Sequence, residues 1–200
     1  MLTQREREET LQTDRERVQL VLQGDQDAFS DLVTTYQRSV YNLAYRMLGD
    51  RTEAEDATQE AFIRAYHNLK SYDPARLFKT WLLSITSHYC IDLIRKRRMS
   101  LLSLEDLLPG QMMAAIDHWS VEDHLVEHES VAAIQRMLAQ LRPDDRAIII
   151  LRYWNDMSYE DIAETLGATV SIVKSRLFRA RQALANRVRV HEAGLQYAAV

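Results

Sequence analysis

The chain has 200 residues, of which 46% are hydrophobic and 27% charged, and its formal net charge is −4. This composition is typical of a globular protein and excludes a disordered or fibrous chain. No apolar run is long enough to span a bilayer, and the amino terminus lacks the apolar segment of a secretory signal. The single cysteine, Cys90, excludes an internal disulfide and a multi-cysteine zinc module. We therefore expect a soluble cytoplasmic protein with one domain or two small ones.

Charged residues are segregated along the chain. Residues 71–99 hold six basic and two acidic residues, a net +4, and residues 169–200 hold six and one, a net +5. Between them, residues 100–130 hold seven acidic residues and no basic one, a net −7. Two basic blocks separated by a strip that repels phosphate indicate nucleic-acid contact at two places. Two solvated helix ends joined by an acidic linker explain the pattern equally well.

The first half of the chain shows helical periodicity. Apolar residues recur at three- and four-residue spacing, and no alternating strand pattern occurs, so we predict an all-α fold. Gly49 ends the first of these helices. Thr52 and Glu55 have capping-box spacing and open the second, and a loop containing Pro74 precedes the third. The predicted helices span residues 25–48, 52–70 and 78–98.

The second half begins with an acidic segment that lacks this periodicity and contains the turn signal Pro109-Gly110. A helix from about Val121 leads into the stripe Val131, Ile134, Leu138 and Leu141. A very apolar helix at 144–154, a short capped helix at 158–166 and a final helix from Thr169 to about Arg189 follow. We thus divide the chain into an amino-terminal extension at 1–13, helical domains at 14–99 and 125–190, a flexible acidic linker at 100–124 and a tail at 191–200.

The segment from Met157 to Arg181 has the order helix, glycine-containing turn, helix, which is typical of a DNA-binding helix-turn-helix. If Val173 faces the core, hydroxyl, amide, cationic and aromatic side chains lie on the outer face of the second helix. They are Ser171, Lys174, Ser175, Phe178, Arg179 and Gln182. An exposed Phe178 indicates a binding surface, because a solvated face seldom exposes a large aromatic. An ordinary αα-hairpin with a basic end is the alternative.

A second stripe beside the core stripe of the 78–98 helix combines an aromatic ring with polar and basic groups. It holds Trp81, Ser84, His88 and Arg95, and the preceding loop adds Tyr72 and Arg76. Unstacked bases need aromatic faces and their backbone needs cations, so this set suits single-stranded nucleic acid. Burial of Trp81 and Tyr72 in the core is the alternative and the commoner fate of such residues.

The 52–70 helix also has two faces. Its polar face holds Asp56, Gln59, Glu60, Ile63 and His67. Acidic and amide groups around an isoleucine favour a protein-binding surface over a DNA-binding one. A solvated charged face is equally plausible.

These segments resemble, in order and spacing, those of the sigma-70 family. Residues 56–66 resemble region 2.2, and residues 78–85 resemble regions 2.3 to 2.4. Residues 159–164 and 173–181 resemble region 4.2. Because only regions 2 and 4 are represented, the chain is similar to the extracytoplasmic-function (group IV) sigma factors. The resemblance implies an alternative sigma factor that binds core RNA polymerase, directs it to −10 and −35 promoter elements, melts the −10 region and initiates transcription in a stress or envelope response.

The resemblance also implies residue roles and partners. Contacts with the polymerase β′ clamp helices fall on Asp56, Gln59, Glu60 and Ile63. Contacts with the −10 element fall on Tyr72, Arg76, Phe78, Lys79, Trp81, Ser84, His88 and Arg95. Contacts with duplex −35 DNA fall on Thr169, Ser171, Lys174, Ser175, Phe178 and Arg179. The polymerase β flap and an anti-sigma factor are further implied partners. No cofactor, metal or catalytic site is expected, and the acidic linker is expected to thread the polymerase cleft.

Three other classes of function compete with this interpretation. An enzyme or metal protein could use His118, His124 and His128, but no third ligand is well placed beside the last two. A dimeric helix-turn-helix repressor would bind symmetric half-sites without polymerase. A purely structural interaction protein would leave the segregated charge and Phe178 unexplained.

Overall fold

The computed structural model describes the backbone of residues 4–105 and 127–198 and the side chains of residues 5–100 and 131–186. These residues form eight α-helices and no strand, which confirms the all-α prediction. The helices are α1 (Gln4–Leu22), α2 (Gln26–Leu48), α3 (Arg51–His67), α4 (Phe78–Glu105), α5 (Glu127–Ala139), α6 (Pro143–Tyr153), α7 (Tyr159–Thr165) and α8 (Val170–Ala198). A single 3₁₀ turn covers Leu69–Ser71. We name α1–α4 the amino-terminal unit and α5–α8 the carboxy-terminal unit.

Helix α2 is the centre of the amino-terminal unit and packs against α1, α3 and α4. The carboxylate of Asp25 accepts hydrogen bonds from the first turn at 2.9 and 3.1 Å and so fixes where α2 begins. Gly49 ends the helix with φ +86°, a left-handed conformation that favours glycine. Between these ends, Leu32, Val40 and Leu43 are fully buried, so the three-and-four apolar spacing is the core stripe.

Helix α3 begins earlier than the sequence predicted. Asp50 is its N-cap and accepts a hydrogen bond from the backbone N–H of Glu53 at 2.8 Å. The capping box predicted for Thr52 and Glu55 is therefore wrong, since both residues lie inside the helix. An aspartate accepts such a bond as well as a threonine does, and it sits directly after the αL glycine that turns the chain.

Helix α1 starts at Gln4, within the predicted extension of residues 1–13. Its buried residues begin at Asp14, whose carboxylate accepts a 2.6 Å hydrogen bond from the hydroxyl of Tyr36 on α2. Burial is the main cause of a raised pKa for both groups, and it outweighs the hydrogen bond that lowers the pKa of Asp14. Val18 and Val21 complete the buried face.

The carboxy-terminal unit is built around α6. Its five residues from Ala147 to Leu151 are all buried, as the apolar run predicted. The predicted cap of α7 is confirmed: Ser158 accepts from the N–H of Asp161 at 3.0 Å, and the Asp161 carboxylate accepts from the N–H of Ser158 at 3.3 Å. Gly167, at φ +60°, provides the turn into α8.

One helix boundary and one apolar stripe differ from prediction. Helix α4 continues to Glu105, so residues 100–105, predicted as linker, are helical. The rest of the predicted linker, residues 106–124, lies outside the described residues, as does the helix start expected near Val121. In α5, Leu138 is buried but Val131 and Ile134 are exposed, because Gln135 turns inward and bonds to the backbone of the other unit.

The two units pack against each other through α2 and α4 on one side and α5, α6 and α7 on the other. Their buried residues form one continuous core. Arg146 of α6, only 7% exposed, donates to the main-chain oxygen of Met47 at the end of α2 at 2.5 Å. Trp154 lies under the guanidinium of Arg46, 4.9 Å from the ring centre. None of the described helices has the length and apolarity to cross a membrane.

Candidate nucleic-acid interface

The outer face of α8 carries the side chains that the helix-turn-helix pattern predicted. Val173, Leu177 and Ala180 are buried and pack α8 against α6 and α7. This fixes the direction of the opposite face. Thr169, Ser171, Lys174, Ser175, Phe178 and Arg179 are all exposed. Phe178 is 61% exposed, so an aromatic ring stands among hydroxyls and cations that suit base edges and phosphates.

Contacts within the carboxy-terminal unit hold part of this face in place. The hydroxyl of Thr169 accepts from the N–H of Ile172 at 3.3 Å and so caps the start of α8. The ammonium of Lys174 lies 5.4 Å from the ring centre of Tyr159 on α7, a cation–π contact that orients it. Sequence reasoning missed Ile172, which is 43% exposed beside Ser171 and Ser175. Its position one turn before Ser175 was the available signal.

The second aromatic cluster lies where the loop after α3 meets α4. The ring centres of Tyr72, Phe78 and Trp81 are 5.4 to 5.5 Å apart pairwise. Tyr36 of α2 lies beneath them, 5.6 Å from Phe78. Trp81 is half-buried, so one part of its ring packs on the cluster and another part faces outward. A partly exposed ring packed in this way has the geometry that base stacking requires.

Two residues predicted to contact DNA lie in the core instead. Phe78 is fully buried and Tyr72 is 6% exposed. Phe78 begins the same apolar stripe as Leu82, so the i, i+4 spacing turns it inward. Burial, followed by the nearby Asp14 charge, raises the pKa of Tyr72 to about 12. In this conformation both rings support Trp81 from below and do not offer a contact surface to DNA.

The cations predicted for the −10 element are engaged by the carboxy-terminal unit. Arg95 donates to both carboxylate oxygens of Asp144 at 3.0 Å, and Arg76 pairs with Glu164. Burial lowers the pKa of Lys79, while the charge of Asp156 opposes that shift. Sequence reasoning missed these acidic partners, because nothing in the spacing of α6 and α7 indicates which helix they face.

The remaining members of the stripe on α4 lie nearby. Ser84 is half-buried and its main-chain oxygen lies 2.9 Å from Nδ1 of His88. The imidazole of His88 is exposed. The structure thus brings Trp81, Ser84 and His88 onto one side of α4, as their spacing predicted.

The predicted protein-binding face of α3 is exposed. Asp56 and Gln59 are exposed, Glu60 is half-buried and Ile63 is 52% exposed. Glu60 is bound by Arg64 one turn later at 2.6 Å. The opposite face of α3 is made of four buried alanines and the buried Phe62, and it packs on α2 and α4. An exposed isoleucine among acidic groups suits a protein partner with a basic, apolar surface.

The structure does not describe the side chains of the three histidines considered as metal ligands. His118 and His124 lie outside the described residues, and the side chain of His128 is not described either.

Comparisons with known proteins agree on one family. Residues 32–99 match Sigma-70 region 2, and residues 132–184 match Sigma-70, region 4. The chain is 40% identical over 181 residues to the ECF RNA polymerase sigma factor SigW of Bacillus subtilis, covering 88% of this chain and 96% of that protein. It is 34% identical over 183 residues to the ECF RNA polymerase sigma-E factor of Escherichia coli, covering 88% and 94%.

Two solved structures share the fold and the arrangement of helices. CnrH in complex with the cytosolic domain of CnrY superposes with a TM-score of 0.68 at 25% identity, covering 89% of this chain and 98% of that one. RpoE of Bartonella quintana, in complex with the anti-sigma factor NepR, has a TM-score of 0.64 at 25% identity, covering 81% and 97%. The two matched regions, the relatives that align along most of their length and the shared fold all agree. The chain belongs to the ECF sigma factors of the sigma-70 family.

Proposed function

We propose that this sigma factor binds core RNA polymerase, reads the −35 element as duplex DNA with α8 and captures an unpaired base of the −10 element at Trp81. The supporting observation is the exposed row on α8, where Phe178 stands beside Lys174 and Arg179 on a helix fixed by its buried opposite face. A recognition helix in a helix-turn-helix needs such a surface to enter the major groove. The protein would act in the cytoplasm, where its polymerase and DNA partners are.

The −10 contact rests on the aromatic cluster. A base that leaves the duplex loses its stacking, and a ring that accepts it offsets that loss. Trp81 is suited to this because Tyr72 and Phe78 hold its ring in place. Arg76 and Arg95, at the two ends of the surface, are placed to contact the backbone once they are released from their carboxylate partners.

The polymerase contact rests on α3. Its exposed face presents Asp56, Gln59, Glu60 and Ile63 to a partner, and the clamp helices of the polymerase β′ subunit are the proposed partner. The carboxy-terminal unit would contact the β flap. None of these side chains is needed for the core of the amino-terminal unit, since that core uses the opposite face of α3.

An anti-sigma factor is the proposed regulatory partner. A cavity of about 530 Å³ lies between the two units. Its walls include Tyr41, Tyr45, Val131, Ile134 and Trp154. Three of these are large apolar residues that remain exposed, Val131, Ile134 and Trp154, so a segment lying here would bury apolar surface of both units at once.

Run-off transcription tests the proposed function. Core polymerase is supplied with the full chain and genomic fragments, and start sites are mapped. We expect new start sites that share −10 and −35 sequences. Failure to redirect initiation would overturn the proposal, and a footprint on symmetric half-sites without polymerase would favour a dimeric repressor instead.

The docking face is tested separately. Asp56→Arg reverses one charge on the exposed face of α3, so we expect it to abolish capture of β′ while helicity measured by circular dichroism stays unchanged. Asp31→Arg, an equal charge change at an exposed position of α2, is the matched control. Capture of β′ by the Asp56→Arg variant at the wild-type level would refute the proposal that this face of α3 binds polymerase.

A further inference from the structure

Residues 72–77, which we name the α4 loop, form a turn that closes on the ring of Tyr72. The carboxylate of Asp73 accepts a hydrogen bond from the backbone N–H of Ala75 at 2.9 Å, and its main-chain oxygen accepts from the N–H of Arg76 at 3.0 Å. The hydroxyl of Tyr72 donates to the main-chain oxygen of Arg76 at 2.5 Å. Because these bonds join the loop to the ring, a restraint on the turn also restrains Tyr72.

The α4 loop contributes one support of the Trp81 ring. The ring centres of Tyr72 and Trp81 lie 5.4 Å apart, and Trp81 is half-buried. A base can stack on the outward part of Trp81 only while that ring is held from behind, since stacking requires two faces fixed at contact distance. The position of the loop therefore affects how well Trp81 can receive a base.

Helix α1 contacts this loop directly. The guanidinium of Arg15 donates from Nε to the main-chain oxygen of Pro74. Pro74 is exposed, whereas Tyr72 and Phe78, which flank the turn, are buried in the core. Arg15 thus holds the part of the loop that core packing restrains least.

A buried hydrogen bond sets the rotation of α1 and so the direction in which Arg15 points. Asp14 is 1% exposed and accepts from the hydroxyl of Tyr36 on α2 at 2.6 Å. Val18 and Val21 continue the same buried face. Arg15 follows Asp14 directly, so it stands at the edge of this face. Both residues precede residues 32–99, the part of the chain that matches Sigma-70 region 2.

We propose that Arg15 is a positioning residue for the −10 contact: its bond to Pro74 holds the α4 loop where Tyr72 supports Trp81, so that an unpaired base meets a preformed stacking surface. This inference rests on the proposed capture of a base at Trp81. A surface that is already ordered does not have to be ordered when the base arrives. Without the bond, a base can stack only in the fraction of molecules whose loop is in place.

Three variants separate this role from a general role in folding. Arg15→Ala removes the donor to Pro74. Arg17→Ala is the matched control, because Arg17 is also a half-buried arginine of α1 but donates to Thr35 of α2 at 3.3 Å. The two variants have equal charge. Arg15→Lys retains a cationic donor without the planar guanidinium, and it should recover part of the function. Arg76 is unchanged in all of them, so its pair with Glu164 is common to the series.

The first measurement follows the loop in the free full chain. A nitroxide is attached to a cysteine introduced by Ala75→Cys, an exposed loop position, while the native Cys90 is buried. Arg15→Ala should shift the electron paramagnetic resonance spectrum toward narrower lines of faster motion, and Arg17→Ala should not. Equal spectra for the two variants would overturn the proposal. This measurement requires neither polymerase nor DNA, so its result does not depend on the proposed function.

The second measurement follows opening of a promoter mapped for the wild-type holoenzyme, by permanganate reactivity over a range of holoenzyme concentrations. Arg15→Ala should lower the opening rate at saturation about fivefold, the effect of one hydrogen bond. The concentration at half-saturation should stay unchanged, because α8 contacts the −35 duplex independently of this loop. Arg17→Ala should open the promoter at the wild-type rate.

The outcomes distinguish two kinds of failure. Failure of the wild-type chain to direct initiation would be a failure of the proposed function. Wild-type opening together with equal opening rates for Arg15→Ala and Arg17→Ala would overturn this inference alone. An equal loss of opening in both arginine variants would show that α1 only supports the fold, and would also overturn it.

Discussion

Arg146 of α6 reaches across to the main-chain oxygen of Met47 at the end of α2, and its other terminal nitrogen donates to Ala139 of its own unit at 2.5 Å. Burial lowers the pKa of this guanidinium to about 10, so it remains charged at neutral pH. A positive charge at a helix carboxyl end is favoured by the helix dipole. One buried side chain therefore completes the hydrogen bonding of two helix ends, one in each unit.

Arg146→Met should lower the free energy of unfolding by about 2 kcal/mol, because it leaves the buried main-chain oxygen of Met47 without its donor and removes the bond to Ala139. Urea unfolding followed by circular dichroism measures this change. Arg142→Met, at an exposed position, is the control and should remain within about 0.5 kcal/mol of wild type. Equal midpoints for the two variants would contradict the role assigned to Arg146.

Substitutions at Trp81 and Phe78 should affect different properties, promoter opening at Trp81 and stability at Phe78. Trp81→Leu keeps apolar packing on the cluster but removes the stacking ring, so promoter opening should fall about tenfold with little change in unfolding. Permanganate reactivity of thymines in the open complex measures the opening. Phe78→Ala, at a fully buried position, should cost about 3–5 kcal/mol of stability. Promoter opening by the Trp81→Leu variant at the wild-type level would refute the proposed contact between Trp81 and the −10 element.

Phe178 should matter for −35 recognition and not for the fold. Phe178→Ala removes an exposed ring, so the free energy of unfolding should change by less than about 0.5 kcal/mol. Loss of a base contact should weaken recognition by about 1–3 kcal/mol, and Lys174→Ala should have an effect of the same size. Run-off transcription from a promoter mapped for the wild type measures both. Asn186→Ala, about two turns beyond Phe178 on α8, is the control. Equal transcription by the Phe178, Lys174 and Asn186 variants would refute the assignment of the −35 contact to this face of α8.

Cys90 should make stability fall at alkaline pH. Burial raises the pKa of its thiol from 9.0 to about 12, so the folded chain holds a proton that the unfolded chain releases. The stability that this thiol contributes is fully present below pH 9 and is lost as the pH rises from 9 toward 12. Between pH 8 and pH 10 the loss should be about 1 kcal/mol.

Cys90→Ala tests this prediction through the slope of unfolding free energy against pH. The variant loses a buried sulfur and is less stable overall, but its unfolding free energy should fall by about 1 kcal/mol less than that of wild type between pH 8 and pH 10. Parallel curves for the two proteins would rule out Cys90 as the cause.

The outer faces of α3 and α8 could be predicted from the sequence because periodicity within one helix fixes which residues share a side. The buried Val173 determines that Phe178 and Lys174 lie outward, and this needs no knowledge of other helices. The same rule failed at Val131 and Ile134, because the inward side of α5 is determined by Gln135 bonding to another unit.

By itself the sequence determined the all-α class, most helix positions, the cap at Ser158 and the residues that share each helix face, since these follow from spacing and local hydrogen bonding. Only the tertiary structure decided that Phe78 and Tyr72 lie beneath Trp81, and that Asp144 and Glu164 meet Arg95 and Arg76. The physical reason is that contacts between helices distant in the chain depend on how whole helix faces pack. Periodicity within one helix shows which residues share a face, but not which face of another helix they contact.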